Sequence, residues 1–409
     1  MSATNSELFD FVRTTILSTD PRVDVLQERI AAELGFDAED TRTLIYDVVA
    51  KLNASSFPPI TQLELVHTEG CNLACSYCFE KDMLGRKRMS PEVARRAIDL
   101  LFDYSRGEKD LRITHFGGEP TLNFSGIRDA TEYAERKAAA CQKSVAFDMT
   151  TNGVLLDDDM INYLSEHRIR ILLSVDGLEA SHDRYRLDKK GRGTFQRVLA
   201  AMTAIKKKQP WIGVKMTVMP QNVDRLFDDV VGLHKLGANQ FIIGHASGVE
   251  WPPLRLLAYE KQMRALLSWY RDQQGNSVRI DELENIDETG GEQDGAYFGC
   301  QAGRTAIAVT IAGEISPCSK IMGLGTKQLV GKLGDIYYGL THLRNRSELI
   351  NCGRLISACQ DKGIAEDYRG GCFAVNYGEN GDMFKPSDVE HAFTLLKRSV
   401  CAGCSKCGH

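Results

Sequence analysis

Residues 71 to 80 read CNLACSYCFE, three cysteines spaced C-x3-C-x2-C with an aromatic residue, Tyr77 or Phe79, on each side of the third. In a reducing compartment, clustered thiols of this kind are metal ligands or catalytic groups rather than disulfide partners. Structural zinc sites pair C-x2-C or H-x3-H units and close a tetrahedron with four protein ligands. The segment around residues 71–80 offers three thiolates and no fourth partner. A [4Fe–4S] cube held by three cysteines keeps one iron open for an exogenous ligand. That is a physical reason to want three, and it makes Cys71, Cys75 and Cys78 the candidate metal ligands.

A second set lies downstream: Cys300, Cys318, Cys352, Cys359, Cys372, Cys401, Cys404 and Cys407. Eight thiolates suffice for two further cubes of four ligands each. The pairing stays open, and a zinc ribbon built from part of the set is the structural alternative. Cys141 stands alone in a helix-to-strand connection and reads as an ordinary cysteine.

The elements that must position these groups follow from periodicity. Residues 1–57 carry helical spacing, with Val25, Ile30 and Leu34, then Leu44, Val48 and Leu52, divided by "GFDAED", which supplies a glycine stop and an aspartate cap. Pro58 and Pro59 mark a boundary. From residue 60 to about 250, six Val/Ile/Leu-rich runs alternate with amphipathic stretches: 62–67, 111–116, 144–149, 170–175, 213–218 and 240–245. Strands alternating with helices predict βα units on a parallel sheet. One of the helices is 91–105, with Ser90 as cap and Pro91 in its first turn. Parallel βα barrels carry their chemistry on loops at the C-terminal strand ends. The motifs fall there: the cysteine loop after the first strand, "GGEP" (117–120) after the second, "TNG" (151–153) after the third and "DG" (176–177) after the fourth.

Composition excludes other classes. A net charge of −5 over 409 residues argues against a nucleic-acid binder, which needs a basic face. The lone "KKK" at 206–208 reads as a solvated helix face. No run approaches the roughly 18 apolar residues of a membrane span. "MSATNSELFDFV" lacks the basic start and apolar run of a signal peptide, so a cytoplasmic protein is expected.

The cysteine loop, with an aromatic before its last cysteine, resembles that of the radical S-adenosylmethionine (SAM) enzymes. The resemblance implies a partial (β/α)6 TIM-like barrel over residues 58–272, in which the open iron binds the amino and carboxylate groups of SAM. It implies that Gly117 and Gly118 allow close backbone approach, that Glu119 accepts from the SAM amino group, and that Asn152 lies near the ligand. Ser174 would touch the SAM carboxylate, with Arg186 or Arg192 as its positive partner; a surface ion pair is the plain alternative for either arginine. Tyr77 and Phe79 would pack at the cluster or the adenine.

Cys300, Gly313 and Cys318 form a C-x12-G-x4-C unit that resembles the opening of a SPASM domain, an auxiliary-cluster extension, here over residues 273–409. Gly313 reads as a hairpin turn, and "LGDIY" as a strand following it. The remainder departs from that pattern: Tyr368 stands where a cysteine is usual, and the compact C-x2-C-x2-C unit lies at the extreme end. Residues 1–57 faintly resemble the helical half of a winged-helix peptide-recognition module.

The function implied is a peptide or protein maturase that forms a thioether or carbon–carbon crosslink in a ribosomal precursor peptide. The implied partners are that peptide and an electron donor such as flavodoxin or ferredoxin, with neither nucleic acid nor membrane. Anaerobic sulfatase maturation, which makes formylglycine, is the alternative within the class. A non-catalytic iron–sulfur electron carrier is the alternative outside it, and it leaves the strand-end motifs idle. Asp176 and Asp335 are the candidate general bases, although an aspartate beside glycine is commonly a turn residue.

Overall fold

Six strands occupy the expected runs in the computed structural model, which describes residues 5–17, 23–273, 278–284, 300–324, 331–364, 368 and 370–402. They are β1 (Gln62–Val66), β2 (Asp110–Phe116), β3 (Ser144–Thr151), β4 (Arg170–Ser174), β5 (Gly213–Val218) and β6 (Gln240–His245). Four short strands follow: β7 (Arg279–Ile280), β8 (Ala306–Val309), β9 (Glu314–Ser316) and β10 (Gly334–Asp335). The fold is mixed α/β with a parallel-sheet core, as a partial (β/α)6 barrel requires. The chain packs as two compact units. The first holds residues 1–70, 82–147 and 301–351; the second holds 71–81, 148–300 and 352–409.

In the first unit the strand order is β10-β9-β8-β1-β2. β1 runs parallel to β2, with Gln62 opposite Arg112 and Val66 opposite Phe116. It also runs parallel to β8 on its other side. β8 and β9 form an antiparallel hairpin turned at Gly313, whose φ of +86° suits a residue without Cβ. β10, from the "LGDIY" run, closes the edge against β9. The hairpin that follows Cys300 is thus built onto β1.

Three helices precede β1: α1 (Asn5–Ile16), α2 (Val23–Leu34) and α3 (Ala38–Ser56). Gly35, at φ +69°, ends α2, and the Asp37 carboxylate caps α3 by accepting the Glu39 and Asp40 amides at 2.8 Å each. Their apolar stripes meet as one cluster of Val12, Ile16, Leu26, Ile30, Ile45, Val48 and Val49, joined by Leu343. Periodicity predicts two of these helices within 25–52; α1 is the addition. Among the described residues of this segment there is no strand, so the second half of a winged helix is not found here.

Helix α4 (Pro91–Tyr104) begins as its sequence predicts, with Ser90 Oγ accepting the Val93 amide at 3.2 Å. Its buried residues Ala94, Ala97, Ile98 and Leu101 recur at helical spacing along one face. Burying each larger aliphatic side chain stabilises by about 1.5–3 kcal/mol.

In the second unit β3 (from Asp148), β4, β5, β6 and β7 follow in order, and all are parallel. The helix Asp388–Ala402 lies on the helix Pro253–Asp272, where Ser399 Oγ donates to Glu260 at 2.8 Å. His245, at the end of β6, stacks on Phe393 of that last helix, with ring centroids 3.8 Å apart. Its Nε2 stands 3.1 Å from the Glu390 carboxylate.

Candidate active site

The three-cysteine loop is held by backbone from another segment of its own unit. Ala74 donates its amide to Leu187 O at 2.8 Å and Ser76 donates to Tyr185 O at 3.3 Å. Leu73 and Asp188 complete an antiparallel bridge. Residues 73–76 therefore run against 185–188, which brings Cys75 level with Arg186. Cys71, Cys75 and Cys78 are all half-buried. The Cys78 amide closes a turn on Cys75 O at 3.2 Å, and the Leu73 amide points at Cys71 Sγ at 3.5 Å. Asn152 donates from Nδ2 to Asn72 Oδ1 at 2.8 Å, tying the "TNG" segment to the same loop.

Behind the loop lies a buried ionic group. Arg186, 8% exposed, pairs with both oxygens of Asp176, Nε to Oδ2 at 2.9 Å and Nη2 to Oδ1 at 3.0 Å. The Tyr77 hydroxyl also donates to Asp176 Oδ2, and the Thr217 amide donates to Oδ1 at 2.9 Å. The Arg186 guanidinium lies 5.4 Å from the centre of the Tyr77 ring. Burial opposes the arginine's charge, but the Asp176 carboxylate outweighs it and holds the guanidinium protonated.

His182 braces the same segment. Its Nδ1 faces the Asp176 amide at 3.4 Å, and its Nε2 sits 2.9 Å from Thr194 Oγ1, which donates to Arg186 O at 2.8 Å. Burial, helped by the Arg186 charge, lowers its pKa to about 4 and keeps the ring neutral. His182 stands just ahead of the arginines that the sequence singles out, and no sequence motif marks it as their support.

Burial raises the pKa of the Cys75 and Cys78 thiols. At Cys75 the guanidinium of Arg186 works the other way, through its charge and a hydrogen bond to the thiol.

The "GGEP" loop belongs to the first unit. Gly117 has φ +135°, and a Cβ there would stand 2.6 Å from Thr68 O. A Cβ on Gly118 would stand 2.5 Å from Gly70 O. Neither position admits a side chain without moving backbone. The Glu119 amide donates to Gly70 O at 2.8 Å, and its buried carboxylate accepts Thr121 Oγ1 at 2.6 Å. Below the loop, His67 Nε2 and His115 Nδ1 meet at 2.8 Å in full burial, and His115 Nε2 reaches Thr131 Oγ1 at 3.1 Å. Forty-eight residues separate the two histidines, and nothing in the sequence pairs them.

The other expected residues divide. Ser174, the last residue of β4, is half-buried and lies opposite Lys215. Phe79 is 42% exposed. Arg192 is an exposed partner of Asp188, at 2.8 Å, within a turn whose amides that carboxylate also accepts. Asp176 differs from a free general base, since both its oxygens are taken by Arg186, Tyr77 and Thr217. Asp335 differs too: its Oδ1 accepts the Tyr337 and Tyr338 amides at 2.9 and 3.0 Å, which is a turn role.

The downstream cysteines are held by local structure. Cys318 heads a short helix, with the Ile321 amide on its Sγ at 3.4 Å. Cys352, at φ +51°, and Cys372 precede the helices Gly353–Asp361 and Phe373–Asn380. Cys359 is buried within the first of these. Cys300 is half-buried, and Cys141 is exposed at a helix end. Tyr368 is buried, its hydroxyl against Gly371, where φ +64° and the missing Cβ leave it room. The side chain of Cys401 and the whole of Cys404 and Cys407 lie outside the described residues.

Among the described residues, no three His, Cys, Asp or Glu side chains converge on a single-ion centre. A cube makes a different demand, because each thiolate binds a different iron and the ligands do not meet at a point. Three half-buried thiols on one loop, an amide aimed at one sulfur and Arg186 level with another fit that demand.

A family model, the Radical SAM superfamily, matches residues 65–233. The matched stretch takes in the three-cysteine loop, the "GGEP" loop and Arg186. A curated relative, the cysteine-type anaerobic sulfatase-maturating enzyme of Clostridium novyi, is 25% identical over 175 residues. That alignment covers 41% of this chain and 46% of the relative. The chain spans about half the length of the curated relatives it matches. Native anSMEcpe with bound AdoMet and the Cp18Cys peptide superposes with a TM-score of 0.68 at 20% identity, covering 85% of this chain and 97% of that one. Streptococcus suis SuiB bound to precursor peptide SuiA gives a TM-score of 0.57 at 17% identity, with 94% and 92% covered. These likenesses establish a shared fold. Among the described residues no helix is long and apolar enough to cross a membrane.

Proposed function

We propose that the chain is a radical SAM maturase of a peptide or protein substrate. The observation that carries the reading is the C-x3-C-x2-C loop inside the matched domain, lying against the 185–188 segment that bears Arg186. Cys71, Cys75 and Cys78 would hold a [4Fe–4S] cluster. Once loaded and reduced, that cluster supplies the electron that cleaves SAM to methionine and a 5′-deoxyadenosyl radical, which takes a hydrogen atom from substrate.

The chain's own residues bind and orient. Gly117 and Gly118 keep the "GGEP" backbone bare for SAM, Glu119 accepts from its amino group, and Asn152 and Ser174 complete the polar contacts. Tyr77 holds its ring over Arg186 and excludes water from the thiols. Cys300 and the seven downstream cysteines form a SPASM-like extension with auxiliary clusters, and a flavodoxin or ferredoxin supplies electrons. A peptide substrate is supported by the folds it shares with proteins solved with bound peptides.

The finer reaction we assign is thioether or carbon–carbon crosslinking of a ribosomal precursor peptide. Formylglycine formation is the second reading, favoured by the sulfatase-maturating relative and the higher TM-score of anSMEcpe.

The test is anaerobic purification, reconstitution, iron and sulfide analysis, and incubation with SAM and dithionite. Three cubes require about twelve irons per chain, and 5′-deoxyadenosine is expected. Zinc in place of iron, or intact SAM, overturns the reading.

A further inference from the structure

Arg186 is the least explained charged group of the site. A guanidinium of ordinary use at a SAM site would be open to the ligand's carboxylate. This one is 8% exposed and closed on Asp176 by two contacts at 2.9 and 3.0 Å. Its backbone lies in the stretch that pairs with residues 73–76, through Ala74 to Leu187 O and Ser76 to Tyr185 O. That register sets Arg186 level with Cys75, with its guanidinium 5.4 Å from the centre of the Tyr77 ring. Asp176 is fixed in turn by the Thr217 amide and the Tyr77 hydroxyl, so the guanidinium has one orientation.

We propose that Arg186, oriented by Asp176, hydrogen-bonds the Cys75 thiolate and raises the reduction potential of the cluster held by the 71–78 loop. The inference rests on the reading that this loop holds a [4Fe–4S] cluster. Reduction adds one negative charge to the cube. A donor and a positive charge at a ligating sulfur stabilise that added charge, whereas the Asp176 carboxylate opposes it. Arg186 is therefore a positioning and electrostatic residue for the cluster rather than a contact of SAM. The two members of the ion pair have opposite effects, which a purely structural salt bridge does not.

The experiment uses the reconstituted full chain without SAM, poised at one fixed ambient potential with dithionite and viologen mediators. Electron paramagnetic resonance reads the reduced fraction of the cluster whose signal disappears in the Cys71/Cys75/Cys78→Ala variant. In Arg186→Gln the ratio of reduced to oxidised cluster is expected to fall about tenfold, the order that a buried unit charge near the cube implies. In Asp176→Asn the ratio is expected to rise. Arg186→Lys, which keeps the charge, is expected to restore most of the loss.

An unchanged ratio in Arg186→Gln overturns the proposal, as does movement of the Gln and Asn variants in the same direction. Weakened SAM binding in Arg186→Lys with no change in the SAM-free ratio overturns it too, because that assigns the arginine to the SAM carboxylate. If Arg186→Gln does not retain its iron, Asp176→Asn and Arg186→Lys decide by the same signs. A wild-type protein with no reducible signal tied to the three cysteines overturns the cluster reading itself, a separate outcome.

Discussion

The two cysteine-bearing regions hold their thiols in different ways. The 71–81 loop is fixed from a distance in sequence, by hydrogen bonds to residues 185 and 187 and by an ion pair between residues 176 and 186. Cys318, Cys352 and Cys372 sit instead at the starts of short helices. Long-range support fixes the geometry of a reactive loop, and its removal leaves buried charge behind. Local capping sets a backbone angle and little more. Two Asp–Arg pairs in one stretch repeat the lesson: Asp176–Arg186 is enclosed, with side chains 0% and 9% exposed, whereas the arginine of Asp188–Arg192 is 66% exposed.

The largest expected effect separates the two regions. Cys71/Cys75/Cys78→Ala should abolish SAM cleavage and lower iron from about twelve to about eight per chain, the loss of one cube of three. Iron analysis with chromatography of 5′-deoxyadenosine checks this, and Cys318→Ala should retain SAM cleavage. Equal loss in both variants breaks the comparison.

Next in size is Asp176→Ala, which leaves the Arg186 guanidinium buried without its counter-charge. A loss of about 3–5 kcal/mol in urea unfolding is expected for one partner of a buried pair. Arg192→Ala should leave the urea midpoint nearly unchanged, because its charge already faces water. A midpoint shift in Arg192→Ala matching that of Asp176→Ala removes the distinction.

Gly118→Ala tests the bare backbone of the "GGEP" loop. Its new Cβ meets Gly70 O at 2.5 Å, a contact that only a backbone shift relieves. A cost of about 1–3 kcal/mol and weaker SAM binding by calorimetry are expected.

The smallest effect near neutral pH concerns His67 and His115. Burial lowers the His67 pKa to about 3 and that of His115 well below its usual range, so both rings are neutral in the fold. In the unfolded chain they take up protons below about pH 6.5. Stability is therefore full above that value and falls as the pH drops from about 6.5 toward 3, by up to about 1.4 kcal/mol per pH unit for each ring. Urea midpoints at pH 7.5, 6 and 5 check this; His115→Asn should flatten the dependence.

Much of the barrel was legible because strands and helices announce themselves by period. All six long strands lie in the predicted runs, and Ser90 and Asp37 cap the helices as their positions imply. The three-cysteine loop was legible because its spacing is itself chemistry. The roles of Asp176, Arg186 and Arg192 were not. A sequence records that an arginine follows an aspartate by ten or by four residues, but not which of them is dehydrated. His182 and the His67–His115 pair were missed for the same reason, since nothing local marks a histidine as buried and neutral.

The amino-acid sequence by itself determined the order of strands and helices, the glycines that keep backbone bare and the spacing of the three-cysteine loop, all of which depend on neighbours within a few residues. Only the tertiary structure decided which carboxylate is free and which is spent, because burial and ion pairing depend on what another strand brings alongside. Thr217 comes from β5 and Tyr77 from the loop after β1, and together with Arg186 they turn Asp176 from a candidate base into a fixed counter-charge.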